Sequence, residues 1–137
     1  MSNAESHFGS EGGTPTTPGR FVDRTKIDPY EILPGLNFQP VLGEKSLLNF
    51  VTFDAHAEAP RHTHEEEQVV LVLEGEIEFE IDGEVRILTP GDVAVIPPWV
   101  PHGARTTGTP CLEVDFFTPP RATLLDQARA AIEKGDS

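Results

Sequence analysis

The sequence predicts an all-β domain that ends in one helix. Three observations predict it. Short runs rich in β-branched and aromatic residues are separated by Gly, Pro and Asp turn signals. One of these runs, Glu76-Ile77-Glu78-Phe79-Glu80-Ile81, alternates strictly, with Ile77, Phe79 and Ile81 on the core face and the glutamates away from it. Helical spacing of apolar residues appears at the end, where Leu124, Leu125, Ala128, Ala131 and Ile132 recur between Leu124 and Lys134.

In chain order, residues 1–20 are rich in Gly, Ser, Thr and Pro and are expected to form a mobile tail. Ser2-Asn3-Ala4 reads as a cloning scar, and His7 as an inert tail histidine. Residues 21–137 are expected to form one domain. Phe21 to Leu33 carries scattered apolar residues that would lie against a barrel or a partner chain. Gly35 to Leu42 is read as the first strand, Gly43-Glu44-Lys45 as a turn and Ser46 to Asp54 as the next strand. Val69-Val70-Leu71-Val72-Leu73 reads as a strand buried on both sides. Asp82-Gly83 is a two-residue hairpin turn, and Glu84 to Leu88 returns from it. Pro90-Gly91-Asp92 is a turn, Val93 to Ile96 a short buried strand, and Pro97-Pro98 its stop. Gly103 to Thr107 and Cys111 to Thr118 complete the strands, and the terminal helix lies on the sheets.

Composition excludes several classes of function. The net charge of −13 argues against a nucleic-acid-binding surface, which needs clustered Lys and Arg. No run approaches the roughly 18–20 apolar residues of a membrane helix, and the start lacks the apolar region of a signal peptide. The single cysteine, Cys111, cannot form an internal disulfide and reads as a small core residue. A cytoplasmic protein is the expectation.

The chemistry is concentrated in Ala59 to Glu76, A-P-R-H-T-H-E-E-E-Q-V-V-L-V-L-E-G-E. On an extended chain His62, His64 and Gln68 share one parity and hence one face, so two imidazoles and an amide converge on one point. Glu65, Glu66 and Glu67 compete with Gln68 for the last position; parity favours Gln68, and a kink at His64 would reverse this. About forty residues on, Thr89 to His102 supplies a further imidazole behind a proline-rich turn. Two nearby groups have simpler readings beside the functional ones. His56 is an outer-shell contact or a plain strand-end histidine, and Arg61 orients an anion or is a solvated loop arginine. The row Glu76, Glu78 and Glu80 is a cation site or the wet side of a half-buried strand.

These two segments resemble the two motifs of the cupin superfamily. The first, H-x-H-x3-[E/Q/H] followed by a glycine seven residues later, fits His62, His64, Gln68 and Gly75. The second, P-G-D-x4-P-x4-H, fits Pro90, Gly91, Asp92, Pro97 and His102. The resemblance covers roughly residues 45 to 121. It implies a jelly-roll β-sandwich barrel with one divalent transition metal ion per chain on His62, His64, Gln68 and His102. The nitrogen-and-oxygen set suits Zn, Ni, Fe, Mn or Co. Three neutral imidazoles and a neutral amide leave the ion's charge uncompensated, which favours a small carboxylate ligand. A homodimer is the expected assembly, inferred partly from the family.

The last strand and its exit, L-E-V-D-F-F-T-P-P-R, carry Asp115, Phe117 and Arg121 at the spacing D-x-F-x3-R. Read from the residues alone, Asp115 is a proton relay or a salt-bridged rim aspartate, and Arg121 binds substrate or caps the barrel. The segment resembles the ending of short single-domain cupins linked to pectin degradation. Those enzymes convert cyclic 4,5-unsaturated galacturonate to the linear 5-keto-4-deoxyuronate. The resemblance implies that Asp115 is the acid/base, that Phe117 packs on the sugar ring and that Arg121 binds the substrate carboxylate. The sequence departs from that group after Arg121, where Ala122-Thr123 replaces an acidic pair, and in its terminal helix. Two other classes stand beside this isomerase reading: a metal-dependent oxygenase of a small acid, and a non-catalytic module that binds a small carboxylate. Oxygen uptake identifies the first, and binding without product the second.

Overall fold

The structure, a computed structural model, describes residues 3–9 and 12–133. Its described residues form ten strands: β1 Tyr30–Leu33, β2 Leu36–Leu42, β3 Leu47–Phe53, β4 Glu58–His62, β5 Glu67–Gly75, β6 Ile77–Ile81, β7 Glu84–Leu88, β8 Val93–Ile96, β9 His102–Arg105 and β10 Cys111–Thr118. They make two sheets, one ordered β1-β2-β3-β10-β5-β8 and the other β4-β9-β6-β7. Every pairing is antiparallel. This is the all-β, two-sheet architecture expected from the alternating runs.

Period-two alternation explains what fills the space between the sheets. On β3, Leu47, Asn49, Val51 and Phe53 are buried while Leu48, Phe50 and Thr52 are half-buried. On β10, Cys111, Glu113, Asp115 and Phe117 point inward. Val51, Phe53, Val70, Val72, Ile77, Phe79 and Ile96 belong to one apolar cluster. Leu47, Phe117, Leu124 and Ala128 form a second cluster. The second cluster seats the C-terminal segment. A 3-10 turn at Ala122–Leu124 leads into helix α2, Leu125–Glu133, where α1 is the short helix Asn3–Phe8. α2 packs on β2. Of the helical stripe read from the sequence, Leu124, Ala128 and Ala131 are buried, Leu125 is half-buried and Ile132 is exposed; Lys134 lies outside the described residues.

One expectation is corrected and others are made specific. β5 is buried on one face, not both, and β8 is only half-buried in the same way: Val70, Val72, Ala94 and Ile96 are inside, while Leu71, Leu73, Val93 and Val95 are exposed. The segment Arg24–Ile27 covers the outer face only at β2 and β3, where Gln39 donates to the Arg24 and Ile27 carbonyls, and an apolar run reads the same whether or not it is covered. The leader to the first motif, Ala57 to Arg61, contributes the edge strand β4. Within Phe21 to Leu33, the segment is mixed: Ile27 is buried, while Tyr30–Leu33 is an exposed edge strand. The tail carries α1, all of whose described side chains are exposed. Further along, Thr16 and Thr17 donate to Glu44, and Arg20 Nη2 donates to the Leu42 carbonyl at 2.6 Å. Residues 1 and 2, with the first residue of the cloning scar, lie outside the described residues. No described helix is long and apolar enough to cross a membrane.

Turn chemistry is as the sequence predicts. Asp82 and Gly83 both take positive φ, 48° and 91°, as a tight hairpin requires. The Asp92 carboxylate accepts from the Thr89 amide at 2.9 Å, closing the turn through Gly91. Gly75 ends β5 at φ 75°, and a β-carbon there would collide with the Pro110 carbonyl oxygen. Gly75→Ala therefore meets both a left-handed backbone and a wall of main chain. We expect it to lower stability by roughly 2–4 kcal/mol, read as a lower urea midpoint at unchanged slope.

Candidate metal centre

Three imidazoles converge between the sheets. His62 is the last residue of β4 and His102 the first of β9, and the two are direct cross-strand partners. His64 lies on the connector that carries the chain from the four-stranded to the six-stranded sheet, and its carbonyl accepts from the Trp99 amide at 2.9 Å. Gln68 is the second residue of β5, buried on its inner face. Parity along one strand thus does not bring the set together. The chain changes sheets at Thr63 to Glu66, and convergence comes from that crossing. Parity does hold on β5 itself, where Glu67 is exposed and Gln68 is inside.

Ring centroids lie 4.3 Å apart for His62 and His102, 4.8 Å for His64 and His102, and 5.4 Å for His62 and His64. One ligand atom from each of the three lies within 4.8 Å of the others. Each Nδ1 faces a main-chain carbonyl: Pro60 at 2.7 Å from His62, Glu66 at 2.9 Å from His64, and Val100 at 2.9 Å from His102. In a neutral ring that bond takes the one proton and leaves Nε2 a bare lone pair. The Gln68 Oε1 atom stands 3.0 Å from His64 Nε2 and 3.1 Å from His102 Nε2. Lone pairs facing one another with no proton between them repel, and a cation among them converts the repulsion into coordination. The donor set therefore fits a divalent transition ion, with the carbonyls fixing each ring's tautomer as outer partners.

Burial favours the neutral form of the two buried rings, His64 and His102. It pushes His102 down to about 4, with the neighbouring histidines working the same way. His64 is lowered by burial and then by the Arg121 charge. Glu66, which the sequence offered only as a competitor for the ligand position, has another task. Its Oε1 accepts from Arg121 Nη1 at 3.3 Å and its Oε2 from the Ala122 amide at 3.2 Å. Burial raises the Glu66 pKa, but main-chain donors at Ala122 and Glu66 together with Arg121 and His64 outweigh it, and the group stays below its ordinary value.

The imidazoles open on a cavity of about 320 Å3, which also receives Asp115, Phe117 and Arg121. All seven sequence-predicted site residues are therefore near one space, with His64 reaching it through its contacts to Gln68 and Phe117. Phe117 meets His64 edge-on at 5.7 Å between centroids, and the Arg121 guanidinium lies 5.9 Å from the Phe117 ring centre. Asp115 is raised by burial, against the pull of hydrogen bonds to Glu113 and Gln68 and of the Arg121 charge. Glu113 and Asn49 line the same cavity and were not singled out from the sequence. Period-two parity on their strands carried the signal, since each is a polar residue at an inward position.

The remaining candidates take their simpler readings. His56 is exposed at a positive φ of 58°, and its amide donates to the Thr107 carbonyl. Arg61 lies on the cavity rim, largely exposed, with Nε 2.9 Å from Glu80 Oε1. Glu78 pairs with Arg105 at 3.1 Å, so the glutamate row meets arginines. Cys111 is buried, and burial with the nearby Glu113 and Asp115 pushes its thiol up to about 12.

Fold and site together define a small two-sheet β-barrel whose two buried histidines and exposed His62 can hold a metal. The chain belongs to the cupin family: residues 49–117 match the cupin domain. It is similar to the structure of KdgF from Halomonas sp., with 32% identity and a TM-score of 0.74 over 78% of this chain and 99% of that one. It is similar also to an RmlC-like cupin from Shewanella frigidimarina NCIMB 400, with 31% identity and a TM-score of 0.73 over 78% and 96% of the two chains. The polyketide cyclase RemF from Streptomyces resistomycificus shares the fold at 22% identity, with a TM-score of 0.68 over 77% and 82%. No curated protein sequence matches.

If the histidines hold an ion, adding Zn2+ or Ni2+ to chelator-stripped protein raises the melting temperature by several degrees, since an ion at 100 times its Kd stabilises by about 2.7 kcal/mol. In His102→Ala the expected shift is absent. An equal shift in both proteins would place the ion elsewhere.

Proposed function

We propose that this protein is a metal-dependent isomerase that opens and ketonises a 4,5-unsaturated uronate or a similar small sugar acid. The observation that carries the reading is that Asp115, Phe117 and Arg121 share one cavity with His62, His102 and Gln68. The chain's resemblance to KdgF and the pectin-degradation cupins supports the same substrate class.

The chain's own groups divide the work. Arg121 binds the substrate carboxylate through parallel hydrogen bonds, while Glu66 holds one edge of its guanidinium in place. Phe117 forms the wall beneath that guanidinium and packs on the sugar ring. Asp115 is the proton carrier. It takes the proton from the C1 hydroxyl as the bond from C1 to the ring oxygen breaks. That step leaves an aldehyde at C1 and an enolate across C4 and C5. Asp115 then delivers the same proton to C4, which becomes CH2 as C5 becomes the ketone, and the Asp115 carboxylate is restored. Protons balance, and no oxidant is consumed. A divalent ion held by His62, His64, His102 and Gln68 would supply positive charge against the substrate oxygens.

The test is loss of the conjugated enol-ether absorbance of 4,5-unsaturated galacturonate, measured against its spontaneous rate. Metal-loaded wild type should accelerate it. Asp115→Asn should keep the metal and lose turnover about 10²–10⁴-fold. Equal turnover in the variant removes Asp115 from the proton-carrying role. No acceleration with metal bound removes the isomerase reading and directs attention to oxygen uptake and then to ligand binding.

For the assembly we propose a homodimer built on the outer face of the six-stranded sheet. Neighbouring strands β8, β5 and β10 expose Val93, Val95, Leu71, Leu73 and Phe116 there. Light scattering should give twice the chain mass for wild type and a monomer for Leu71→Lys with Val95→Lys. A monomeric wild type would sink the assignment.

A further inference from the structure

The inner face of the six-stranded sheet carries polar groups for which the fold has no use. Asn49 on β3 stands directly opposite Asp115 on β10, and Glu113 lies two residues before Asp115 on the same face. Asn49 is 1% exposed and Glu113 2%. Both amide atoms of Asn49, Glu113 Oε2 and Asp115 Oδ1 find no hydrogen-bond partner among the described residues. A buried amide without partners is costly, and a leucine of the same shape would avoid that cost. Other inward positions of β3 are Leu47, Val51 and Phe53, so an apolar residue is what the strand would otherwise hold. All three polar residues line the cavity that receives Arg121 and the imidazoles.

We propose that Asn49 and Glu113 form a hydroxyl-binding subsite, so that the ligand of this cavity is a polyhydroxylated carboxylate and not a simple apolar acid. The inference rests on the reading above in one respect: Arg121 takes the carboxylate, which sets the ligand's direction along β10. Inward residues of a strand recur every ~7 Å, so Phe117, Asp115 and Glu113 meet successive parts of a ligand held at Arg121. The carboxylate lies at one end, and the ring hydroxyls extend past Asp115 to Asn49, its cross-strand partner, and towards Glu113 beyond. The chemistry of the pair suits a hydroxyl, which both gives and accepts a hydrogen bond. The Asn49 amide has a donor and an acceptor. Burial and the adjacent Asp115 push the Glu113 pKa well above its ordinary value, which favours the protonated carboxyl, a group that both donates and accepts. An apolar group there would leave the buried polar atoms unpaired.

The test compares two ligands on metal-loaded, full-length protein by titration calorimetry. One is D-galacturonate; the other is tetrahydropyran-2-carboxylate, which keeps the ring and carboxylate and lacks the hydroxyls. Wild type should prefer galacturonate by at least about tenfold, the worth of one good hydrogen bond. Asn49→Leu should lose most of that preference, bind the bare-ring acid as before and melt higher than wild type without ligand. Asn49→Ala gives the same loss of preference if leucine does not fit. Glu113→Gln, which still donates and accepts, should keep the preference. The proposal is overturned if wild type binds the two acids equally or binds neither. It is also overturned if removing the Asn49 amide weakens both ligands alike. A hydroxyl preference without turnover of the unsaturated uronate would refute the isomerase reading and leave the subsite. Turnover without the preference would do the reverse.

Discussion

Three imidazoles give their Nδ1 protons to main-chain carbonyls and so aim bare Nε2 lone pairs into one volume with the Gln68 oxygen. Much of the local backbone follows from that constraint. The accepting carbonyls belong to Pro60, Glu66 and Val100, each two residues from its histidine. Pro60 lies on β4, one strand of the four-stranded sheet. Glu66 lies where the chain crosses between sheets. Val100 follows Trp99, whose positive φ of 68° turns the chain so that its amide meets the His64 carbonyl. A non-glycine residue in that conformation costs energy, and here the main-chain bond it makes holds the middle histidine. Each such bond contributes only about 1 kcal/mol net, but together they decide which nitrogen faces inward.

A second constraint ties that centre to the far end of the chain. Glu66 sits between His64 and Gln68 in sequence, yet its carboxylate reaches Arg121 and the Ala122 amide. One buried carboxylate thus joins the motif loop to the exit of β10. Removing either partner would leave a buried charge uncompensated, which typically costs several kcal/mol. Arg121 keeps donors on its other edge, beside the Phe117 ring. In a chain with a net charge of −13, a guanidinium fixed at a cavity lip gives an anion a local place to bind that the overall field would refuse.

The sequence made the ligand set legible because the two histidine segments carry it in their spacing, and Gln68 because parity on β5 is real. The geometric reason was only partly right. His62 and Gln68 belong to different sheets, and nothing in T-H-E-E states that the chain crosses there. The edge strands were the least readable. β4 contains a proline and charged residues, which suit an edge and blur any alternation, and β1 exposes all four of its residues. β5 reads from sequence as buried on both faces, and it is not, because an apolar run does not say whether a layer lies over its second face. Glu66 was illegible as an anchor because its partners stand 55 and 56 residues away, beyond the end of β10. Asn49 and Glu113 were legible in principle. Their parity marked them as polar residues on a core face, the kind of local inconsistency that points to a site.

That inconsistency has a direction. One apolar cluster fills the space between the sheets from Val51 and Phe53 to Val72, Ile77 and Ile96, and a second seats α2 against Phe117. The polar groups collect between them, on the two central strands of the six-stranded sheet and around the imidazoles. β3 and β10 are paired along their whole length, from Cys111 opposite Phe53 to Phe117 opposite Leu47. Both strands are central, each hydrogen-bonded to a neighbour on either side, so side chains placed there are held with little freedom. A buried, unpaired amide or carboxyl lowers stability wherever it is put. Placing several on central strands, with apolar packing on either side to support them, gives that cost a use. It keeps fixed donors and acceptors in a cavity, ready for a ligand that brings the missing partners.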